Sequence, residues 1–340
     1  MHPLINDRFI KALKCQNESR PPIWLMRQAG RHLASYRALR QKYGFLEMCH
    51  QPELIAEVSL LPVKAYELDA AILFSDILII PEALGVGLRF EDKTGPIIAR
   101  PLVDAEDVKK LPGPSELPFH FVKEGIQCLK PSLTIPLIGF CGAPFTVASY
   151  MIEGRTSRDF KKTKKWMLND PEGFHLLLHK IADWSVAYLN LQIEAGVDAL
   201  QIFDSWANAL AHRQFREFSL YYQEYILKRL KKNIPVILFC RGSSVFAPQL
   251  AEIQPAAIGL DWNCSLPHMR RIIPATVALQ GNLDPDLLYA PLAKIKEEAN
   301  YLLDEMEGDK SFIFNLGHGI FPDVTEEAVR TLIDCVRERD

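Results

Sequence analysis

Short aliphatic or β-branched runs alternate with helix-length amphipathic stretches along the chain, the pattern of parallel strands joined by helices. Eight runs read as strands: Ile23–Met26, Ala71–Ser75, Pro136–Phe140, Ala199–Phe203, Val236–Phe239, Ala257–Leu260, Val277–Leu279 and Phe312–Asn315. Eight strand–helix units match a single (β/α)8 TIM barrel, in which functional groups gather at the carboxyl ends of the strands. An open, doubly wound sheet fits the same alternation. The helices show their own period: Leu177, Ile181, Trp184, Tyr188 and Leu191 form one stripe, which Gly196 is placed to end. Phe215, Phe218, Tyr222, Ile226 and Leu230 form another, with Lys231 and Lys232 near its carboxyl end, where cations are favoured.

Two stretches depart from the alternation. Gly85 to Leu102 reads as a small hairpin inserted into the repeating unit, and Leu111 to Pro118, with three prolines, as a surface connection. There is also an internal echo. Asp69-Ala70-Ala71-Ile72-Leu73-Phe74-Ser75-Asp76 aligns without gaps on Asp198-Ala199-Leu200-Gln201-Ile202-Phe203-Asp204-Ser205. Side chains alternate across a strand, so Asp76 and Ser205 should share one orientation, with Ser75 and Asp204 turned the other way.

Composition narrows the class. The 340 residues are 48% hydrophobic and 24% charged, enough apolar material for one large core, and residues 1–340 read as one catalytic domain without a linker. A net charge of −3 argues against a general nucleic-acid binder, so any anion site must be local. Seven scattered cysteines without a C-x-x-C pair fit a reducing cytoplasm. Met1-His2-Pro3-Leu4-Ile5-Asn6-Asp7-Arg8 gains charge before any long apolar run and is not a secretory signal, and Asp76 and Pro81 break the longest apolar stretch too soon for a membrane span.

Candidate chemistry begins where the first strand breaks into Arg27-Gln28-Ala29-Gly30-Arg31. On a helical turn two arginines four apart share a face, and a planar guanidinium meets a carboxylate or phosphate with two parallel hydrogen bonds. Surface salt bridges would account for them equally well. Polar residues at the other strand ends are Asp76, Ser205, Asp261, Asn282 and His318, with Tyr150 just beyond the third strand. A carboxylate there can pair with a cation or accept hydrogen bonds from ligand N–H groups; as a helix N-cap it would do neither, and Ser205 is open to the same alternative. His318 sits between two glycines that let backbone approach a ligand. His175 and His179 have i, i+4 spacing but lack the glutamate of H-E-x-x-H, and no His-x-Cys or C-x-x-C pair supplies a thiolate zinc site.

Eight motifs in order resemble the uroporphyrinogen decarboxylase family: Met26-Arg27-Gln28-Ala29-Gly30-Arg31, Phe74-Ser75-Asp76-Ile77-Leu78, Gly142-Ala143-Pro144-Phe145-Thr146, Ser149-Tyr150-Met151-Ile152-Glu153-Gly154, Gln201-Ile202-Phe203-Asp204-Ser205-Trp206, Gly259-Leu260-Asp261-Trp262, Gln280-Gly281-Asn282-Leu283-Asp284-Pro285 and Phe314-Asn315-Leu316-Gly317-His318-Gly319. The resemblance implies a homodimeric (β/α)8 barrel that needs neither cofactor nor metal and converts uroporphyrinogen III to coproporphyrinogen III by removing four acetate carboxyl groups. It implies that Arg27 and Arg31 hold substrate carboxylates, with Gln28, Ala29 and Gly30 lining the same loop. Asp76 would face the pyrrole N–H groups, Tyr150 would support it, and Ser205 and His318 would contact peripheral carboxylates. Asp76, Arg27 and Tyr150 are the implied catalytic set, no metal or nucleic acid is involved, and no membrane is crossed. His32, Ala34-Ser35, Arg155, Asn208 and Gln254-Pro255 depart from the family's usual residues. A zinc-dependent or corrinoid methyltransferase of the same barrel superfamily and a non-catalytic porphyrinogen binder are the competing expectations.

Overall fold

A computed structural model describes residues 5–91, 95–231 and 233–339. Three sequence expectations touch residues outside this set: Met1 to Leu4 of the amino-terminal segment, Asp92 to Thr94 of the hairpin, and Lys232. The strands are β1 (Ala71–Ile72), β2 (Leu88–Glu91), β3 (Gly95–Ile98), β4 (Leu137–Gly142), β5 (Ala199–Asp204), β6 (Val236–Cys240), β7 (Ala257–Gly259), β8 (Ala278–Leu283) and β9 (Phe312–Leu316). All but β2 and β3 form one parallel sheet in the order β1-β4-β5-β6-β7-β8-β9.

The eighth stave is the Ile23 segment. It forms a parallel bridge to Phe314, and the Phe314 N–H donates to the Pro22 carbonyl at 2.9 Å. On its other flank the Asp69 N–H donates to the Ile23 carbonyl at 2.8 Å, so the segment closes the curled sheet between β9 and β1. It is a bridge rather than the four-residue strand expected from sequence, because Pro21 and Pro22 carry no N–H for a ladder.

Alternation along the staves sorts the core into two layers. Trp24, Met26, Ile72, Ile138, Phe140, Ala199, Ile237, Phe239, Ala257, Ala278 and Ile313 fill the barrel interior. Their neighbours Ile23, Leu25, Leu137, Leu200, Leu238, Ile258, Leu279 and Phe314 face the surrounding helices. A polar chain crosses the interior: Trp24 Nε1 donates to Gln280 Oε1 at 2.9 Å, and Gln280 Nε2 donates to Gln201 Oε1 at 3.1 Å. Buried amides are stable there because each hydrogen bond offsets the desolvation of its partner.

The helix Pro171–Ala195 ends at Gly196 with φ 112°, a left-handed cap open to glycine. The Phe215 stripe is interrupted: a π-helical turn, Arg216–Leu220, separates two short α segments, and the second ends at Leu227, before Leu230. The inserted hairpin is β2 against β3, antiparallel, with Phe90 opposite Pro96. Among the described residues, no helix is long and apolar enough to cross a membrane.

Candidate functional site

At the carboxyl ends of the staves lies a cavity of about 370 Å³. Of the residues singled out from sequence, Arg27, Ala29, Asp76, Tyr150, Ser205 and His318 line it. Phe140, Phe203 and Phe239 form an aromatic floor, with ring centroids 5.5 Å apart for the first pair and 5.9 Å for the second. Phe45 and Phe90 pack 4.6 Å apart in one wall, which is how the hairpin reaches the cavity.

Asp76 stands just past β1, held at one oxygen only. Oδ1 accepts the Leu78 N–H at 2.8 Å, while Oδ2 has no hydrogen-bond partner among the described residues. Burial pushes its pKa up to about 6, against the Leu78 hydrogen bond and the nearby Arg27 charge, which pull it down. At neutral pH the group is an anion with one oxygen in reserve. As the sequence echo predicts, Asp204 turns away, accepting hydrogen bonds from Thr146 Oγ1 and Ser219 Oγ, each at 2.5 Å. Ser205 lines the cavity and does not cap the helical turn that follows, which begins after Trp206. Ser75 borders the cavity too, but its hydroxyl is 3.0 Å from Tyr188 Oη.

Arg27 adopts φ 61°, a left-handed conformation uncommon for a side chain of this size. The turn is built around it: Gln28 N donates to the Leu25 carbonyl at 3.0 Å, and Gln28 Oε1 accepts from Leu25 N at 3.2 Å. Gln28 Nε2 donates to the Ala70 carbonyl at 3.3 Å. Gln28 is therefore fully buried and braces the loop from behind instead of lining the cavity. Gly30 and Arg31 also lie outside the cavity lining, and the chain from Arg27 to Arg31 is a succession of turns, not the helical turn that would align the two arginines. The left-handed residue at 27 is the cause. A Cβ on Gly319 would overlap Cγ and Cδ of Arg27, so this glycine gives the arginine stem its path.

Burial lowers the Arg27 pKa below its ordinary value, and Arg31 and Arg241 push in the same direction, while Tyr150 and Asp76 oppose it. The same causes, burial first and then the Arg27 and Arg241 charges, bring His318 down to about 4, leaving the imidazole neutral at pH 7. Tyr150 is raised to about 12 by burial and by the Asp76 charge; its ring centroid lies 5.8 Å from that of Trp206. Tyr150 and Asp76 share the cavity without a hydrogen bond between them.

Asp261 and Asn282 serve the loops beneath the mouth. Asp261 accepts from Gly242 N at 2.5 Å and Asn263 N at 3.1 Å, and Asn282 Nδ2 donates to the carbonyls of Asp261 and Cys264, both at 2.8 Å. His175 and His179 pack against Tyr222 and Phe218 in a surface hollow elsewhere. Among the described residues no group of three or more His, Cys, Asp or Glu could hold a metal ion.

Sequence reasoning passed over the aromatic floor and Arg241. The signal for the floor was present, since three expected strands end in Phe140, Phe203 and Phe239. Arg241 follows β6 directly, much as Arg27 follows Met26.

Fold and mouth together define an α/β-barrel protein whose carboxyl-end cavity sets one half-buried carboxylate among arginines over an aromatic floor. Comparison with known proteins goes further: residues 4–339 match the family described as Uroporphyrinogen decarboxylase (URO-D), and the chain belongs to that family. It is 73% identical over 335 residues to a uroporphyrinogen decarboxylase from Protochlamydia amoebophila (strain UWE25), covering 98% of this chain and 92% of that one. It is 45% identical to a uroporphyrinogen decarboxylase from Vesicomyosocius okutanii subsp. Calyptogena okutanii (strain HA), covering 96% of each. Among solved structures, a methyltransferase from Methanosarcina mazei superposes with a TM-score of 0.83 at 22% identity, covering 99% of each chain, which is a likeness of fold.

Proposed function

We propose that this chain is a carboxy-lyase that converts uroporphyrinogen III to coproporphyrinogen III, releasing the four acetate carboxyl groups as CO2 without a cofactor. Family membership and the 73% identity to a uroporphyrinogen decarboxylase support the reaction. The observation that carries the mechanism is Asp76, one oxygen pinned by Leu78 and the other free in a cavity over Phe140, Phe203 and Phe239.

Loss of CO2 from an acetate arm leaves an electron pair that needs a sink, and here the substrate's own pyrrole ring provides it. Protonation of a ring carbon makes an iminium-like cation; the breaking C–C bond delivers its electrons into it, leaving an exocyclic methylene. That carbon takes up a proton and the ring carbon gives one back, so each turn consumes one proton and yields one methyl group and one CO2. Asp76, ionised and oriented before the reaction, stabilises the cation from the pyrrole N–H side. Arg27, which lines the cavity with Asp76, donates the ring proton. Tyr150 supports Asp76 and the substrate. Arg27 and Arg31 bind substrate carboxylates beside the loop of Gln28, Ala29 and Gly30, and Ser205 and His318 bind peripheral ones.

Family membership also underlies the expectation that residues 1–340 act as one catalytic domain in a homodimer in the cytoplasm; light scattering on the purified protein tests the dimer. The reaction is tested by anaerobic incubation of metal- and cofactor-free protein with uroporphyrinogen III, with products separated by carboxylate count. Stepwise appearance of seven- to four-carboxylate products is the expected result. Binding without CO2 release would instead identify a porphyrinogen-binding protein, and neither would redirect attention to methyl transfer.

A further inference from the structure

We propose that Arg241 is a further substrate-binding residue, holding a peripheral carboxylate across the mouth from Arg27; this rests on the porphyrinogen reading above. Counted from the Ile23 segment, β6 is the fifth of eight staves and so stands opposite the first. Along β6, Ile237 and Phe239 point into the barrel, and Phe239 is part of the cavity floor. Period-two alternation puts Arg241 on the same side, one step further out. There its side chain is exposed and makes no hydrogen bond or ion pair among the described residues.

The backbone around it is fixed. Gly242 N donates to Asp261 Oδ2 at 2.5 Å, and a Cβ at position 242 would come within 2.9 Å of Asn208 Cβ, so the β6 loop packs closely on the loop after β5. A free cation on a fixed backbone suits recognition of an anion held in a set place. The Arg241 charge is also close enough to lower the pKa of both Arg27 and His318. Like charges gathered around one cavity repel until an anion joins them. A macrocycle carrying carboxylates around its whole rim would meet Arg27 and Arg31 on one side and Arg241 on the other, which fixes its tilt over Asp76.

The test compares wild type with Arg241→Gln and Arg241→Lys under anaerobic conditions, measuring turnover of uroporphyrinogen III and, separately, its dissociation constant. The Gln variant should raise KM and Kd about tenfold, the scale of one charge-assisted hydrogen bond, with kcat within about threefold of wild type. The Lys variant should recover most of the loss, and all three proteins should share one melting temperature, since no contact in the fold is removed. An active wild type with KM and Kd unchanged in Arg241→Gln overturns the proposal and leaves the reaction standing. A wild type that binds without turnover overturns the reaction, and Kd alone then decides Arg241 by the same criterion. A wild type that does not bind overturns both.

Discussion

Two aspartates bracket β1, and the protein treats them in opposite ways. Asp69, at the amino end, is fully buried and saturated: Arg20 reaches both oxygens at 2.7 and 3.1 Å, Asn6 Nδ2 and Arg8 add bonds of 2.7 and 3.2 Å, and Ile23 N donates at 2.8 Å. Burial raises its pKa, but the Arg20 hydrogen bond and charge, with Ile23 and Asn6, outweigh it and hold the carboxyl below its ordinary value. Asp76, at the carboxyl end, has one backbone donor, an open oxygen and a pKa of about 6. A satisfied carboxylate fixes structure; an unsatisfied one is available to a ligand. The barrel separates stability from chemistry along its axis, as (β/α)8 architectures do.

The largest way to break this contrast is at the closed end. Asp69→Ala leaves Arg20 buried without its carboxylate and frees the Ile23 amide, so urea unfolding should show a loss of roughly 3–5 kcal/mol. Turnover per folded molecule should stay within about twofold, because the carboxyl-end mouth is untouched. If the stability of the variant matches wild type, Asp69 is not the clasp described here.

At the open end, Gly319→Ala places a methyl group where the Arg27 stem runs. The arginine must shift, and kcat/KM for uroporphyrinogen should fall about tenfold, with little change in melting temperature. Unaltered kinetics would show that the Arg27 position is not critical.

A titration sharpens the comparison. The raised Asp76 pKa means that the group takes up a proton as pH drops through about 6, so kcat/KM, which follows the unliganded enzyme, should fall on that side with a midpoint near 6. Asp69 holds its charge further into acid: its stabilisation is present above the ordinary carboxyl range and is lost only when acid protonates it below that range. A pH–rate profile flat from 7 to 5 would remove Asp76 from the essential ionisation.

An effect on stability alone, confined to acid, belongs to His32, one of the family departures. Burial brings it down to about 4 from an ordinary 6.5, and its Nε2 has no hydrogen-bond partner among the described residues. The depressed pKa gives a stabilisation that is full above 6.5 and drains away as pH falls towards 4. His32→Gln should flatten that acid arm by on the order of 2 kcal/mol in pH-dependent urea titrations; an arm of the same slope would assign it to other groups.

Much of the barrel was legible because buried parallel strands and amphipathic helices carry strong, different periods, and the Asp76–Ser205 echo implied one shared orientation for both residues. The Ile23 stave was harder, since two prolines remove its ladder donors without changing its hydrophobicity. Gln28 was expected to line the loop between the two arginines; the left-handed turn at Arg27 sends its side chain back into the core instead. The turn also separates Arg31 from the cavity, which four-residue spacing alone could not reveal. The π-turn within the Phe215 stripe lies beyond apolar spacing for a related reason, as one extra residue per turn still keeps Phe215, Phe218 and Tyr222 buried. Arg241 went unnoticed because a lone cation after a strand resembles any surface arginine until the ring of staves is closed.

The most direct test of the account replaces Asp76 by Asn, which keeps the shape and the Leu78 hydrogen bond while removing the charge. Anaerobic single-turnover CO2 release and uroporphyrinogen binding would be measured on the same preparation. The account predicts a folded protein that still binds substrate and releases CO2 about 10²–10³-fold more slowly, the scale of losing one preorganised electrostatic partner. Release at the wild-type rate would contradict it.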